Sequence, residues 1–256
     1  MIHTAYDVMK EYLITGAELD GPYQIPVIPP MQLAPKKSID FVSSKSRSLK
    51  GHKDLTVNFY IDDKSFLQIW NQPDQHVEHL KCFHSVCSPD FTIASGMPTA
   101  LNIYNLYRNH ALGFYFAILG VNIIPSVNVI SPKEMPWIFD GTPHRSTVSC
   151  CTNGRVRSKS ARLEFCENFK EMFEVIEPTK VVIVGIVPDE LNVDVPIINL
   201  NSRSQNMKEM FRKEKPWEQS VADQQNEGIK KQAGRRSAEA DFSVFWDEET
   251  RPEKMN

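Results

Sequence analysis

The stretch KVVIVGIV, residues 180–187, decides the fold. A run of β-branched apolar residues without polar alternation is a strand covered on both faces. Such strands belong to parallel sheets packed between helices. Just before it, ARLEFCENFKEMFEVIEP (161–178) has helical period, with Leu163, Cys166, Phe169, Phe173 and Ile176 on one face. Moving outward, the alternation repeats. STVSCCTNG (146–154) is a strand that ends in a turn, and VNIIPSVNVI (121–130) is another strand. MPTALNIYNLYRNHALGFYFAILG (97–120) is a long helix with Pro98 in its first turn and Gly120 at its stop. CFHSVCSPDF (82–91) is a short strand. KSFLQIWNQPDQHVEHLK (64–81) is helical but interrupted at Pro73, and LTVNFYIDD (55–63) is a strand that closes on two aspartates. PIINLN (196–201) supplies a last short strand, and SPKEMPWIFDGTPH (131–144) reads as turns.

Strands alternating with helices define an α/β domain with a mostly parallel sheet. The roughly five strand–helix units fall short of the eight of a full barrel, so a partial barrel or an open βα repeat is expected. Ahead of it, the first twenty residues carry Tyr6, Met9, Tyr12 and Leu13 at helical spacing. GPYQIPVIPPMQLAPKK (21–37) then holds five prolines, which makes it an extended, irregular arm. The segment 37–54 is polar around Phe41 and Val42. Three regions follow from this: an arm at 1–54, the α/β domain at 55–200, and a polar, largely disordered and flexible tail at 201–256. The tail carries few aliphatic residues and many charges of both signs, with one helix expected near Met207–Arg212. Its one apolar island, with Phe242, Phe245 and Trp246 between acids, is either a docking segment for a protein partner or a piece that tucks back onto the domain.

The bulk numbers exclude several classes. With 256 residues, 41% hydrophobic and 24% charged, the chain can bury a sizeable core. A net charge of −3 gives no global basic field, although a nucleic-acid partner is not thereby removed. No apolar run is long enough to span a bilayer, no secretory leader is expected, and five cysteines form no disulfide framework. A reduced, cytoplasmic setting is the expectation. The motifs of P-loop NTPases, dinucleotide enzymes, α/β-hydrolases and zincins do not occur.

Candidate chemistry gathers at strand ends, beyond which parallel α/β folds bind ligands. Asp62 and Asp63 close one strand and Asp90 the next. These three are the candidate catalytic groups, as general acid, general base or metal ligand. Asp63 directly precedes a helix and reads first as its N-cap. Candidate substrate contacts are Arg108 and Asn109 on the long helix, Asn128 and Asn153 at strand exits, and Arg155, which leads the dense basic run RVRSKSAR. Three asparagines within eight residues of the helix (Asn102, Asn105, Asn109) demand a reason, since asparagine is a poor helix former. HVEHLKCFHSVC (76–87) crowds His76, His79, Cys82, His84 and Cys87. Without a second paired knuckle these read as helix surface and strand core, and no metal site is assigned.

Taken together, FYIDD, SPDF, the MP-x-A helix start with NLYRN, the G-x-x-x-IP strand and FDGTP resemble the bacterial and phage family called "domain of unknown function 4417". The resemblance covers about residues 55–185. Thr92 and Asn128 stand where the family pattern has serine and tryptophan. It implies a prophage or mobile-element setting, in a bacterial or phage-infected cell, and carries no assigned activity. The residues themselves point to an enzyme acting on an anionic, phosphorylated or nucleotide-like substrate, with a divalent cation as a candidate cofactor. The alternative is a non-catalytic scaffold that docks a partner through its tail.

Overall fold

The computed structural model of the protein describes residues 9–214. The chain divides into two compact units between Gln205 and Asn206. The first contains a short hairpin, β1 (Leu19–Asp20) and β2 (Ile25–Pro26), followed by strands β3 (Lys37–Asp40), β4 (Leu55–Asn58), β5 (Ser85–Cys87), β6 (Ile123–Ile124), β7 (Thr147–Cys151), β8 (Lys180–Val184) and β9 (Ile197–Leu200). Helices α1 (Phe41–Ser44), α2 (Leu67–Asn71), α3 (Val77–Lys81), α4 (Thr99–Ile118) and α5 (Lys159–Ile176) lie between them, and α6 (Arg203–Glu214) runs on into the second unit. The described part of that unit is the rest of α6, where Met207, Met210 and Phe211 are exposed. The aromatic island Phe242, Phe245 and Trp246 and the tail beyond residue 214 lie outside the described residues, as do residues 1–8.

Every pairing from β3 to β9 is parallel. Strands β3-β4-β5-β6 form one sheet and β7-β8-β9 another. A parallel bridge between Ser126 and Ser149 joins them, because Pro125 lacks the N–H that would extend β6 into a ladder. At the far edge, Ser38 Oγ donates to the Asn201 carbonyl, so the end of the last strand meets the first. The seven strands therefore curl into a partial barrel whose closure is a side-chain contact and not a ladder.

The register divides the side chains into two sets. Val57, Val86 and Ile123 face outward into one apolar layer with α4, and Val148, Val181 and Ile183 face another with α5. The inward set is mixed. Ile124, Val182, Val184 and Leu200 form a small apolar interior with Leu33 and Tyr60. Beside it, Thr56 and Ser85 share a buried hydrogen bond of 2.8 Å.

The segment 37–54, grouped with the arm in the sequence, thus supplies the first strand and helix of the sheet. Its strand KSID turns Ser38 and Asp40 to the buried side, which hides it from an apolar-pattern reading. The helical spacing at 9–20 yields only a 3₁₀ turn, Glu11–Ile14, before the hairpin. Helix α5 buries Phe165, Cys166, Phe169, Met172 and Ile176, whereas Leu163, expected on that face, is 44% exposed. The proline-rich arm runs extended past the start of β7. There Thr147 N–H donates to the Met31 carbonyl (2.9 Å), and Leu33 N–H donates to Thr147 Oγ1 (3.1 Å).

The stretch that announced the fold ends its strand at Val184, and Gly185 turns away with φ of +125°. A Cβ at Gly185 meets Thr152 Oγ1 at 2.4 Å, so neither the backbone angle nor the space admits another residue. Gly185→Ala is expected to cost roughly 2 kcal/mol. A thermal melt will read this as a Tm drop of about 4–8 °C.

Candidate functional site

A cavity of about 380 Å³ opens at the carboxyl ends of β4, β5, β6 and β7. Tyr60 and Ile61 follow β4, Asp90 and Thr92 to Ser95 follow β5, Val127, Asn128 and Ile130 follow β6, and Cys151, Asn153 and Arg155 line it from β7. Ile61, Ile93, Val127 and Ile130 are the large apolar part of its lining.

Asp90 is the central group. Its Oδ1 accepts a 3.2 Å hydrogen bond from Asn128 Nδ2. Burial raises its pKa to about 7, against the pull of the Arg155 guanidinium and the Asn128 amide, with the Asp63 charge adding to the rise. Arg155 is carried back over the strand end by a turn in which its N–H donates to the Thr152 carbonyl (3.1 Å), with Gly154 at positive φ. Its Nη2 is tied to the Val129 carbonyl at 2.9 Å, which fixes the plane of the guanidinium. The Tyr60 hydroxyl points inward, 2.9 Å from Ser149 Oγ and 3.3 Å from Ser126 Oγ. Burial, and the neighbouring Cys87 and Asp90, raise its pKa further, so it stays a neutral phenol. Burial likewise lifts the Cys151 thiol to about 12, which leaves no thiolate nucleophile at neutral pH.

The loop that carries Asp90 is bolted to α4. Phe91 N–H donates to Asn109 Oδ1 (2.7 Å), and Asn109 Nδ2 donates back to the Phe91 carbonyl (3.2 Å). Asn102 makes the same reciprocal pair with Ala94, at 3.1 and 3.0 Å. Between them, Asn105 Nδ2 donates to the Thr92 carbonyl. Positions 102, 105 and 109 lie on one helical face. The three carboxamides act as a strand edge, satisfying backbone groups that the loop otherwise leaves unpaired. This is the reason for the asparagines that the sequence left open.

The structure brings four of the eight candidate residues into the cavity: Asp90, Asn128, Asn153 and Arg155. The other four lie outside its lining. Asp63 accepts from Thr92 N–H (3.1 Å) and Thr92 Oγ1 (2.9 Å), so it holds a residue of the wall. Asp62, not Asp63, is the helix cap: it accepts from Lys64 N–H at 3.1 Å and pairs with the Lys64 amine at 3.2 Å, in solvent. The Arg108 guanidinium lies 3.8 Å from the Phe91 ring and 4.8 Å from that of Tyr104, and Nη2 donates to Asn105. Asn109 is occupied by Phe91. Tyr60 and Cys151 were missed in the sequence. Both share parity with inward-facing strand residues, Asn58 and Ser149, and that was the available signal.

The histidine- and cysteine-rich stretch does not converge. His79 Nε2 meets Ser44 Oγ at 3.0 Å, His84 Nδ1 meets Ser85 Oγ at 3.1 Å, Cys82 is exposed and Cys87 is buried. Among the described residues, no three of His, Cys, Asp or Glu group to hold a metal ion. No helix among them is long and apolar enough to cross a membrane.

Parallel strands with intervening helices, and a cavity at the carboxyl edge of the sheet, define an α/β fold. The chain belongs to the family described as Domain of unknown function (DUF4417), whose model matches residues 17–201. It is similar to the Gene 1 protein of Mycobacterium phage L5, 25% identical over 179 residues, which cover 70% of this chain and 78% of the relative. It is also similar to the Gene 1 protein of Mycobacterium phage D29, 24% identical over 163 residues, covering 64% and 60%. No solved structure matches the chain.

The asparagine pairing sets an expectation. Asn109→Ala strands a buried N–H and C=O of Phe91 and is expected to cost about 2–4 kcal/mol, measured by urea unfolding. The exposed loop residue Asn192 serves as the neutral reference, its alanine variant expected to change stability by no more than about 0.5 kcal/mol.

Proposed function

We propose that the protein is an enzyme acting on an anionic, phosphorylated or nucleotide-like substrate bound in the cavity at the strand ends. One observation carries this reading: a carboxyl group poised near neutrality, Asp90, beside an amide and a fixed guanidinium, in a cavity large enough for a small molecule. A group with a pKa of about 7 is matched to both halves of a proton transfer, taking a proton from a nucleophile or giving one to a leaving group. Arg155 supplies the counter-charge for an anionic group, and its anchored plane offers the paired N–H geometry that suits phosphate or carboxylate oxygens. Asn128 orients the Asp90 carboxyl and supplies a further donor. The apolar lining of Ile61, Ile93, Val127 and Ile130 accommodates a flat apolar portion such as a base or sugar face. The neutral thiol of Cys151 and neutral phenol of Tyr60 assign the proton-transfer role to Asp90 and not to a covalent nucleophile.

A screen of nucleotides and phosphorylated metabolites, read by turnover and by thermal shift, tests the reading. The substrate so found is expected to lose about 10²–10⁴ in turnover with Asp90→Asn. With Arg155→Gln the loss is expected mainly in KM, while unchanged turnover and thermal shift in Asp90→Asn sink the proposal.

The same group predicts a pH signature. Its folded pKa of about 7 lies above the unfolded value of about 4, so folding takes up a proton between the two. The stability it contributes is complete below pH ~4 and is lost as the pH rises through ~7. Asp90→Asn removes this loss. The Tm of the variant relative to the parent is therefore expected to rise between pH ~4 and ~7 and to level off above that, in paired thermal melts.

A further inference from the structure

A second surface, formed by residues that do not line the cavity, carries a charge pattern that the cavity does not use. Between residues 36 and 54 stand Lys36, Lys37, Lys45, Arg47, Lys50 and Lys53, all exposed, against two carboxylates, Asp40 and Asp54. Asp40 is buried, caps α1 through Ser43 N–H (3.0 Å) and faces Arg203 at 3.7 Å. The segment thus holds a surplus of four positive charges in a chain whose net charge is −3. Among the described residues none of the six makes an ion pair, whereas Lys64, Lys81, Lys133, Arg145 and Arg162 each do. On α3, which packs alongside through His79 and Ser44, the acid Glu78 is already held by Lys81 at 2.8 Å. The local field is felt by neighbours: burial first and Lys45 second lower the pKa of both His76 and His79.

We propose that this face, the loop 45–53 with the adjoining lysines at 36 and 37, binds the phosphate backbone of a nucleic acid. Unpaired cations on one surface of an otherwise acidic protein are the electrostatic footprint of a polyanion site. The exposed serines interleaved with them, Ser46 and Ser48, whose hydroxyls lie 2.9 Å apart, are of the kind that commonly accompanies lysine and arginine on phosphates. A membrane surface fits less well, because the segment 36–54 exposes only Val42, on α1, among large apolar side chains and no aromatic ring for the interface. Nothing in the segment reaches for base edges, so the contact is expected to be independent of sequence.

The test uses the full chain and fluorescein-labelled 25-mers of single-stranded DNA, duplex DNA and RNA, with anisotropy read at 50 to 200 mM salt. The parent is expected to bind at least one of them with a steep salt dependence. The variant Lys45→Gln, Arg47→Gln, Lys50→Gln, Lys53→Gln is expected to weaken binding more than tenfold and to reduce the log–log salt slope by about 3. Lys133→Gln, on the far side of the sequence, is expected to change neither. The single charge reversal Lys50→Glu, with a melt unchanged from the parent, repeats the direction of the effect should the fourfold variant not fold. An unaltered affinity and slope in a folded variant overturns the proposal. So does absence of nucleic-acid binding by the parent, whether or not it binds phosphatidylserine vesicles.

Discussion

The hydrogen bonds between the asparagine face of α4 and the backbone of Phe91, Thr92 and Ala94 are the constraint on which the rest depends. A loop leaving a parallel strand has no ladder to satisfy its peptide groups, and burying it unpaired costs free energy at each one. Here the helix following the strand provides the missing partners from its own side chains. The loop is therefore held as firmly as a strand, with Asp90 at one end and Ser95 at the other. Arg108 adds to the clamp by stacking on Phe91, so the helix face that looked available to a substrate is spent on the wall of the cavity. Preorganisation of this kind sets the environment of Asp90, and hence its raised pKa, through the fold itself.

The same economy governs the interior of the sheet. Small polar side chains face inward and pair with each other: Thr56 with Ser85, Tyr60 with Ser149, and Ser126 with the Ser88 carbonyl at 2.7 Å. The hydroxyl of Tyr60 links this buried polar layer to the cavity floor. Each such pair satisfies groups that are costly when orphaned, so the interior holds a definite arrangement where a purely apolar one slides.

How much was legible follows from this chemistry. Strand β8 and helices α4 and α5 stand out in the sequence because their burial is apolar and periodic. Strand β3 does not, because KSID buries Ser38 and Asp40, and an inward polar residue erases the pattern that marks a strand. The buried face of α5 was read one step off, through Leu163, because Phe165 and Met172 were not counted. The strand-end rule located Asp90, Asn128, Asn153 and Arg155 without any knowledge of pairing order. It had no means of telling Asp90, turned into the cavity, from Asp62, turned into solvent, since both follow a strand and precede a turn. The roles of Asn102, Asn105 and Asn109 were flagged only as an anomaly of propensity. Their partners lie across a turn whose path depends on the whole sheet.

The extended arm has a consequence for traffic. Met31 and Leu33 are tied to Ser146 and Thr147 at the amino ends of the strands, and Leu33 packs against the apolar interior. The barrel is thereby corked at its base, while its opposite rim is open. The arm thus fills the amino end of the barrel, and the cavity lies at the carboxyl edge of the sheet, so the interior between them is not a passage from one rim to the other.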